Sequence, residues 1–419
     1  IKNQIFKKYQ IDIKFNKKIK YGLLPRPHFV TKDLAILRDE KEIGIVKNFR
    51  INIKANNFFL FNEIQFKDLI FNKSDFNIYQ QDLVFFENLL KTEPSENKIV
   101  IKNSNIFFKD DNDDILFINK IKKSEFYYDS YNLVNILKSK NEIFNIPYKL
   151  IIKNDKFNKL VLTKFNSQKI RLNIENQISY DSKIQQGLMK ILFVNKTTSL
   201  NYKLNENSIN FSTEGQKNQY NGFIEFKPFY LKANFDYDGI STKSWFNENS
   251  VLYNLIKSEL FNNENLNINL NLKVKDIVNI NELNNLFLNL VIESGDISFS
   301  DSNIMWKDDL KIYLSESLLN IDQNEIYLIG KIVIDIKDIS DFYKSFQIKK
   351  NYRKKIKEIQ FDFNYNFTQQ KISFNNFEID NKPSLNVENF VEKFNLNEKF
   401  FNKITFKNFV NDFFKVYFG

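Results

Sequence analysis

Few side chains in this chain have types and spacings suited to bond-making chemistry. His28 is the only histidine, placed just after Pro25-Arg26-Pro27. The usual metal and acid–base sets need a second imidazole or convergent carboxylates. His28 is therefore read as structural. With no cysteine, a thiol nucleophile, a disulfide and a zinc–thiolate site are all excluded. The densest acidic stretch is Asp110-Asp111-Asn112-Asp113-Asp114. Its first five positions echo a calcium loop, but Ile115 stands where glycine is required and Ile121 where a bidentate Glu is needed. It reads as a solvated hairpin turn. No Gly-x-Ser-x-Gly and no phosphate-cradling glycine loop occurs. We assign no catalytic residue and expect no metal or cofactor: the reading is of a protein that is not an enzyme.

Two other kinds of surface remain. Lys349, Lys350, Arg353, Lys354, Lys355 and Lys357 form one basic cluster. Beside an anionic membrane each such charge contributes about 1 kcal/mol, so the cluster is either a solvated face or a membrane-surface contact. Aromatics are not interleaved with these bases in the way that stacking on single-stranded nucleic acid requires, and no nucleic-acid partner is expected. The second surface is apolar. Leu266, Ile268, Leu270, Leu272 and Val274 alternate with Asn and Lys. On a strand this gives one wholly apolar and one wholly polar face. The stretch from Leu266 to Lys275 spans roughly 33 Å. Phe361, Phe363, Tyr365 and Phe367 repeat the pattern.

The elements that must position these faces are mostly strands. The 419 residues are 42% hydrophobic and 16% aromatic, with 61 Lys and Arg against 51 Asp and Glu, which excludes disorder throughout. Strand rhythm appears at Ile11–Phe15, Arg50–Ala55, Glu63–Asp68, Asp75–Tyr79, Ile99–Phe108 and Ile115–Ile121, and returns from Tyr148 to Tyr237. Helical spacing predicts helices over Gln81–Lys91, Tyr131–Ser139, Ser250–Phe261 and Asp338–Phe346, then at Val387–Phe394 and Thr405–Phe418. No run of 18 apolar residues exists for a membrane-spanning helix. The chain starts at Ile1 rather than Met, so a preceding segment, a candidate signal or anchor, is expected.

The helices are too few to cover one face of every strand. The expected fold is mainly β: an elongated, curled antiparallel β-sheet forming an open groove, with a few short helices and a helical C-terminal end. A sheet closed on itself as a sandwich or barrel is the other solution. The expected divisions are 1–147 (β-rich with short helices), 148–383 (the continuing groove body) and 384–419 (amphipathic helices). The Phe-rich tail is too short to span a bilayer and is expected to plug one end of the sheet.

Three stretches carry a resemblance. They are Leu23–Ile36 (LLPRPHFVTKDLAI), the short strands of Asn48–Ile78, and Ile99–Asp110 (IVIKNSNIFFKD) leading into ILFINKI. Together they resemble the N-terminal part of the AsmA-like family of Gram-negative envelope proteins. The resemblance implies repeating β-groove units, an inner-membrane anchor, a periplasmic location, and a part in moving phospholipid between membranes and in outer-membrane integrity. This chain is short for bridging an envelope alone. The expected partners are phospholipid or another acyl lipid and a membrane, with the nine apolar strand residues named above lining the groove. The competing readings are a structural or assembly factor for outer-membrane biogenesis acting by protein–protein contacts, and an outer-membrane barrel.

Overall fold

The computed structural model describes residues 2–9, 12–38, 41–54, 65–79, 97–110, 112–180, 185–193, 196–205, 207–213, 219–226, 229–241, 255, 258, 260, 263–278, 280–322, 325–369, 371–393 and 403–419. The chain forms two compact units, Ile1–Asn205 and Glu206–Gly419. The joins expected at 147/148 and 383/384 both fall inside a unit.

In the first unit, helix α1 (Lys2–Tyr9) precedes thirteen strands among the described residues. These are β1 (Asp12–Phe15), β2 (Lys20–Gly22), β3 (His28–Arg38), β4 (Lys41–Ile53), β5 (Phe66–Tyr79), β6 (Lys98–Lys109) and β7 (Ile115–Asp129). They continue with β8 (Val134–Ile143), β9 (Ile146–Asp155), β10 (Leu160–Ser167), β11 (Leu172–Ser179), β12 (Gln185–Phe193) and β13 (Lys196–Leu204). Strands β1 and β2 both lie against β3. From β3 to β13 each strand pairs with the next, antiparallel at every step except β5–β6, which is parallel.

The second unit repeats this plan. Its strands are β14 (Ser208–Ser212), β15 (Gln219–Phe226), β16 (Phe229–Ile240), β17 (Asn267–Ile277), β18 (Leu283–Glu293), β19 (Asp296–Ser298) and β20 (Asn303–Trp306), then β21 (Leu310–Asp322), β22 (Glu325–Ile336), β23 (Glu358–Asn366), β24 (Lys371–Ile379) and β25 (Lys382–Pro383). The described pairings are antiparallel apart from β16–β17. Helix α2 (Ser340–Phe346) separates β22 from β23, and α3 (Leu385–Lys393) and α4 (Lys403–Phe418) close the chain.

A parallel pair needs a long crossover rather than a tight turn. The two crossovers fall where helical spacing interrupts the strand rhythm. The helix expected over Gln81–Lys91 lies outside the described residues. Of Ser250–Phe261 only Leu255, Ser258 and Leu260 are described. The helix expected over Tyr131–Ser139 is a correction: those residues are a hairpin turn and the first half of β8. Phe66–Asp68 of the stretch read as Glu63–Asp68 and the whole of Asp75–Tyr79 belong to the single strand β5; Glu63 and Ile64 lie outside the described residues. Helices α2, α3 and α4 fall where spacing predicts them. Asp338, one residue before the N-cap Ile339, accepts the Ser340 N–H at 2.8 Å.

Candidate functional site

Ladder register decides which side chains share a face. In the first unit one transverse row runs Thr31, Phe49, Phe71, Ile101, Ser124, Ser139, Leu150, Phe165, Ile174, Ile191 and Thr198. Its environment changes along the row. Phe49 and Phe71 are buried in a cluster with Ile5 of α1, Leu34, Val46, Ile51 and Leu69. Ser124 and Ser139 then interrupt the apolar surface, in a seam that also holds Asn119 and Asn141. Beyond the seam, Leu150, Phe165, Ile174 and Ile191 are only half-buried. A side chain inside a two-layer core would be fully covered. Strands β9 to β12 thus present an apolar floor that nothing described in this unit completely covers.

That floor is shaped by tyrosines lying along it. The Tyr148 hydroxyl donates to Asn119 Oδ1 at 2.9 Å, reaching over β8 to β7. Tyr180 does the same to Asn154 at 3.2 Å, and Tyr202 to Asn176 at 2.7 Å across β12. For Tyr202 the residue beneath the ring is a glycine. Gly187 faces Tyr202, and a Cβ built there would overlap the ring. Burial pushes the Tyr148 and Tyr202 hydroxyls above the ordinary tyrosine range, opposed by hydrogen bonds with Asn141 and Asn176 respectively.

In the second unit, Ile268, Leu270, Leu272 and Val274 of β17 lie opposite Ile292, Leu290, Leu288 and Leu286 of β18 on one face. The nine residues read as lining divide in two. Ile268, Val274, Phe363, Tyr365 and Phe367 are buried, with all but Val274 in one cluster joined by Ile292, Ile297, Leu319 and Ile326. Leu255 and Leu260 pack against that cluster from the crossover segment. These five side chains hold the fold. Leu266, Leu270, Leu272 and Phe361 are half-buried: Leu266 and Leu270 pack against that cluster, Leu272 against Val274, Ile240 and Ile277, and Phe361 against the C-terminal helix cluster, each leaving part of its surface bare, as do Leu290, Leu314, Leu328 and Ile332, which the pattern of β17 alone did not single out.

The C-terminal helices close the other end of this face. Val410, Phe413 and Phe414 of α4 are buried with Tyr343 and Phe346 of α2 and with Ile359, Phe377 and Ile379 of β23–β24. Asn411 Nδ2 donates to the Phe346 carbonyl at 2.8 Å, fixing α4 against α2. Burial pushes the Tyr343 hydroxyl up to about 12. The aromatic stripe of the tail faces inward as a plug.

Neither a family model nor a curated protein matches this chain.

The remaining groups read from the sequence are placed as follows. His28 lies against Gly22 across the β2–β3 pair, its Nδ1 2.7 Å from the Arg26 carbonyl oxygen. The Asp110 carboxylate accepts the N–H groups of Asn112 and Asp114, both at 2.9 Å, in the β6–β7 turn. The Tyr79 hydroxyl and the Lys109 ammonium lie against Asp113; the hydrogen bond from Tyr79, ahead of the lysine charges, lowers its carboxyl below the usual range. Lys349, Lys350, Arg353, Lys354, Lys355 and Lys357 are all exposed between α2 and β23. Lys354 Nζ stands 4.9 Å from the centre of the Phe418 ring, and Arg353 Nε donates to the Ile348 carbonyl. A depression of about 510 Å³ between β16, β17 and β18 is lined by Asp236, Asp238, Lys273, Lys275, Asn285 and Phe287 among others. It mixes both signs of charge and selects no class of ligand.

Proposed function

We propose that this chain is a non-enzymatic lipid-handling protein of the cell envelope. It works in the periplasm, held at the inner membrane of a Gram-negative bacterium, and carries phospholipid between the inner and outer membranes in support of outer-membrane integrity. The single observation that carries this reading is the half-buried apolar floor: Leu150, Phe165, Ile174 and Ile191 in one unit, Leu270, Leu272, Leu314, Leu328 and Phe361 in the other. In this reading the sheet curls into an open groove. Acyl chains lie on the floor, where each buried methylene contributes about 0.8 kcal/mol, while headgroups stay in water. The path is passive and lowers the cost of moving chains past solvent. The exposed bases from Lys349 to Lys357 meet anionic headgroups at one end. The resemblance of Leu23–Ile36 and Ile99–Asp110 to AsmA-like proteins supports the same reading.

Extraction under native conditions followed by lipid mass spectrometry tests it. Phospholipid is expected with the parent chain, and Leu270→Asp is expected to strip it while circular dichroism stays β-rich. A folded parent that carries no lipid and captures a specific envelope protein would instead favour the assembly-factor reading.

A further inference from the structure

Two neighbouring hairpins of the first unit carry the same turn. Asp129-Ser130-Tyr131-Asn132-Leu133 joins β7 to β8, and Asp155-Lys156-Phe157-Asn158-Lys159 joins β9 to β10. In each, the aspartate's Oδ1 accepts the N–H of the asparagine three residues on, at 3.2 Å and 2.9 Å. Its Oδ2 accepts that asparagine's side-chain N–H, at 2.8 Å and 2.7 Å. The fifth residue of each, Leu133 and Lys159, takes the left-handed backbone conformation, at φ 56° and 52°. This geometry throws the third residue outward. Tyr131 is 93% exposed and Phe157 is 91% exposed, and Leu133 adds 64%.

The ladders put both tips on one rim. Asn135 lies opposite Asn154, Asp129 opposite Val134 and Asp155 opposite Leu160. The same rim holds the β2–β3 loop, because His28, Asn52, Asp68 and Lys98 are successive ladder partners there. In that loop Leu23 is 53% and Leu24 is 86% exposed.

We propose that this rim of the first unit inserts into the interface of a lipid bilayer, with Tyr131, Phe157 and Leu24 as anchors. The side chains sit on three separate loop tips, one or two to a tip. A protein partner needs a continuous complementary patch, whereas a bilayer interface accepts isolated aromatic and leucine side chains without any matched shape. The rim carries both signs of charge: Lys156 and Lys159 flank Phe157 within its turn, and the ionised carboxylates of Asp129 and Asp155 are held by hydrogen bonds inside their own turns. The rim does not depend on the groove reading, since none of its residues lies on the apolar floor.

The absence of cysteine makes the test clean. Single cysteines replace Tyr131, Phe157 or, on the opposite rim, Lys169 in the full chain, and each carries an environment-sensitive fluorophore. Vesicles of equal parts phosphatidylcholine and phosphatidylglycerol are added. Labels at 131 and 157 are expected to shift to the blue, with the label at 169 unchanged. Separately, the unlabelled double variant Tyr131→Ser/Phe157→Ser is expected to keep its melting temperature and bind the vesicles roughly tenfold more weakly, about 1.4 kcal/mol. Labels at 131 and 157 that stay in water would overturn the proposal. So would labels that change only when envelope protein extract is added, which would point to a protein partner. The double variant leaves the floor intact, so its lipid content on native extraction separates failure of the rim from failure of the groove.

Discussion

Gly187 and Tyr202 show how a single residue shapes the apolar floor. The ring crosses β12 above Gly187 to reach Asn176. Any larger residue at 187 forces the ring off and leaves the Asn176 carbonyl without its donor. Gly187→Val is expected to cost about 1–3 kcal/mol of unfolding free energy, and Tyr202→Phe about 1 kcal/mol. The two changes should fall short of additivity in a double-mutant denaturation cycle, because each breaks the same contact. The hairpin aspartates make a separate prediction. Hydrogen bonds from Asn132, first from its side chain, hold the Asp129 carboxyl below the usual range; the Asn158 backbone N–H and side chain do so for Asp155. A carboxyl with a lowered folded pKa stabilises above its unfolded value, near 3.9, and that contribution is lost as pH falls through the lowered folded value. Melting temperature is therefore expected to drop on acidification below about pH 4, and less so in Asp129→Asn/Asp155→Asn.

Among the elements, α4 argues most directly from sequence to packing. Its Val410, Phe413 and Phe414 share one stripe, and that stripe is buried against α2 and β24. Phe414→Ala removes a fully buried ring and is expected to destabilise the second unit by about 3–5 kcal/mol, seen as an early transition in a thermal melt. Lys415→Ala, outward on the same helix, is expected to leave the melt unchanged. Strand β8 is the opposite case. Leu133, Ile136 and Leu137 mimic helical spacing, and the strand has no clean alternation to contradict it. Asn135, Ser139 and Asn141 lie on the face shared with Leu150, while Val134 and Ile136 lie on the other side. A polar seam through an apolar face erases the period-two signal on which strand recognition rests. The turn at Asp129–Leu133 was hidden for the same reason: within a supposed helix, Tyr131 looks like a stripe residue rather than a hairpin tip.

At the scale of the whole molecule, the described strands of each unit form a run of antiparallel neighbours broken by one parallel pair, β5–β6 and β16–β17. Long strands with one apolar face are visible in the alternation of LNINLNLKVK, and the polar half of that alternation also has a use. Asn234 donates to Asn221 at 3.0 Å and Asn271 to Asn234 at 3.1 Å, a side-chain ladder across the polar face of β15–β17. A lipid-carrying floor predicts that Ile174→Asp in the first unit and Leu270→Asp in the second each lower bound lipid on native extraction. Phe363→Asp, by contrast, is expected to unfold the second unit, because that ring is buried.

The sequence by itself determined that this is a strand-built protein with an apolar face and a helical C-terminal end. Periodicity depends only on neighbours along the chain, so alternation and helical stripes survive in the text. Tertiary structure decided which apolar residues are core and which are surface. Val274 and Phe363 are covered while Leu270 and Phe361 in the same strands are partly bare. That difference depends on where the crossover segment and the helices come to rest on the sheet. Exposure is a property of what lies opposite a side chain, and what lies opposite is far away in sequence.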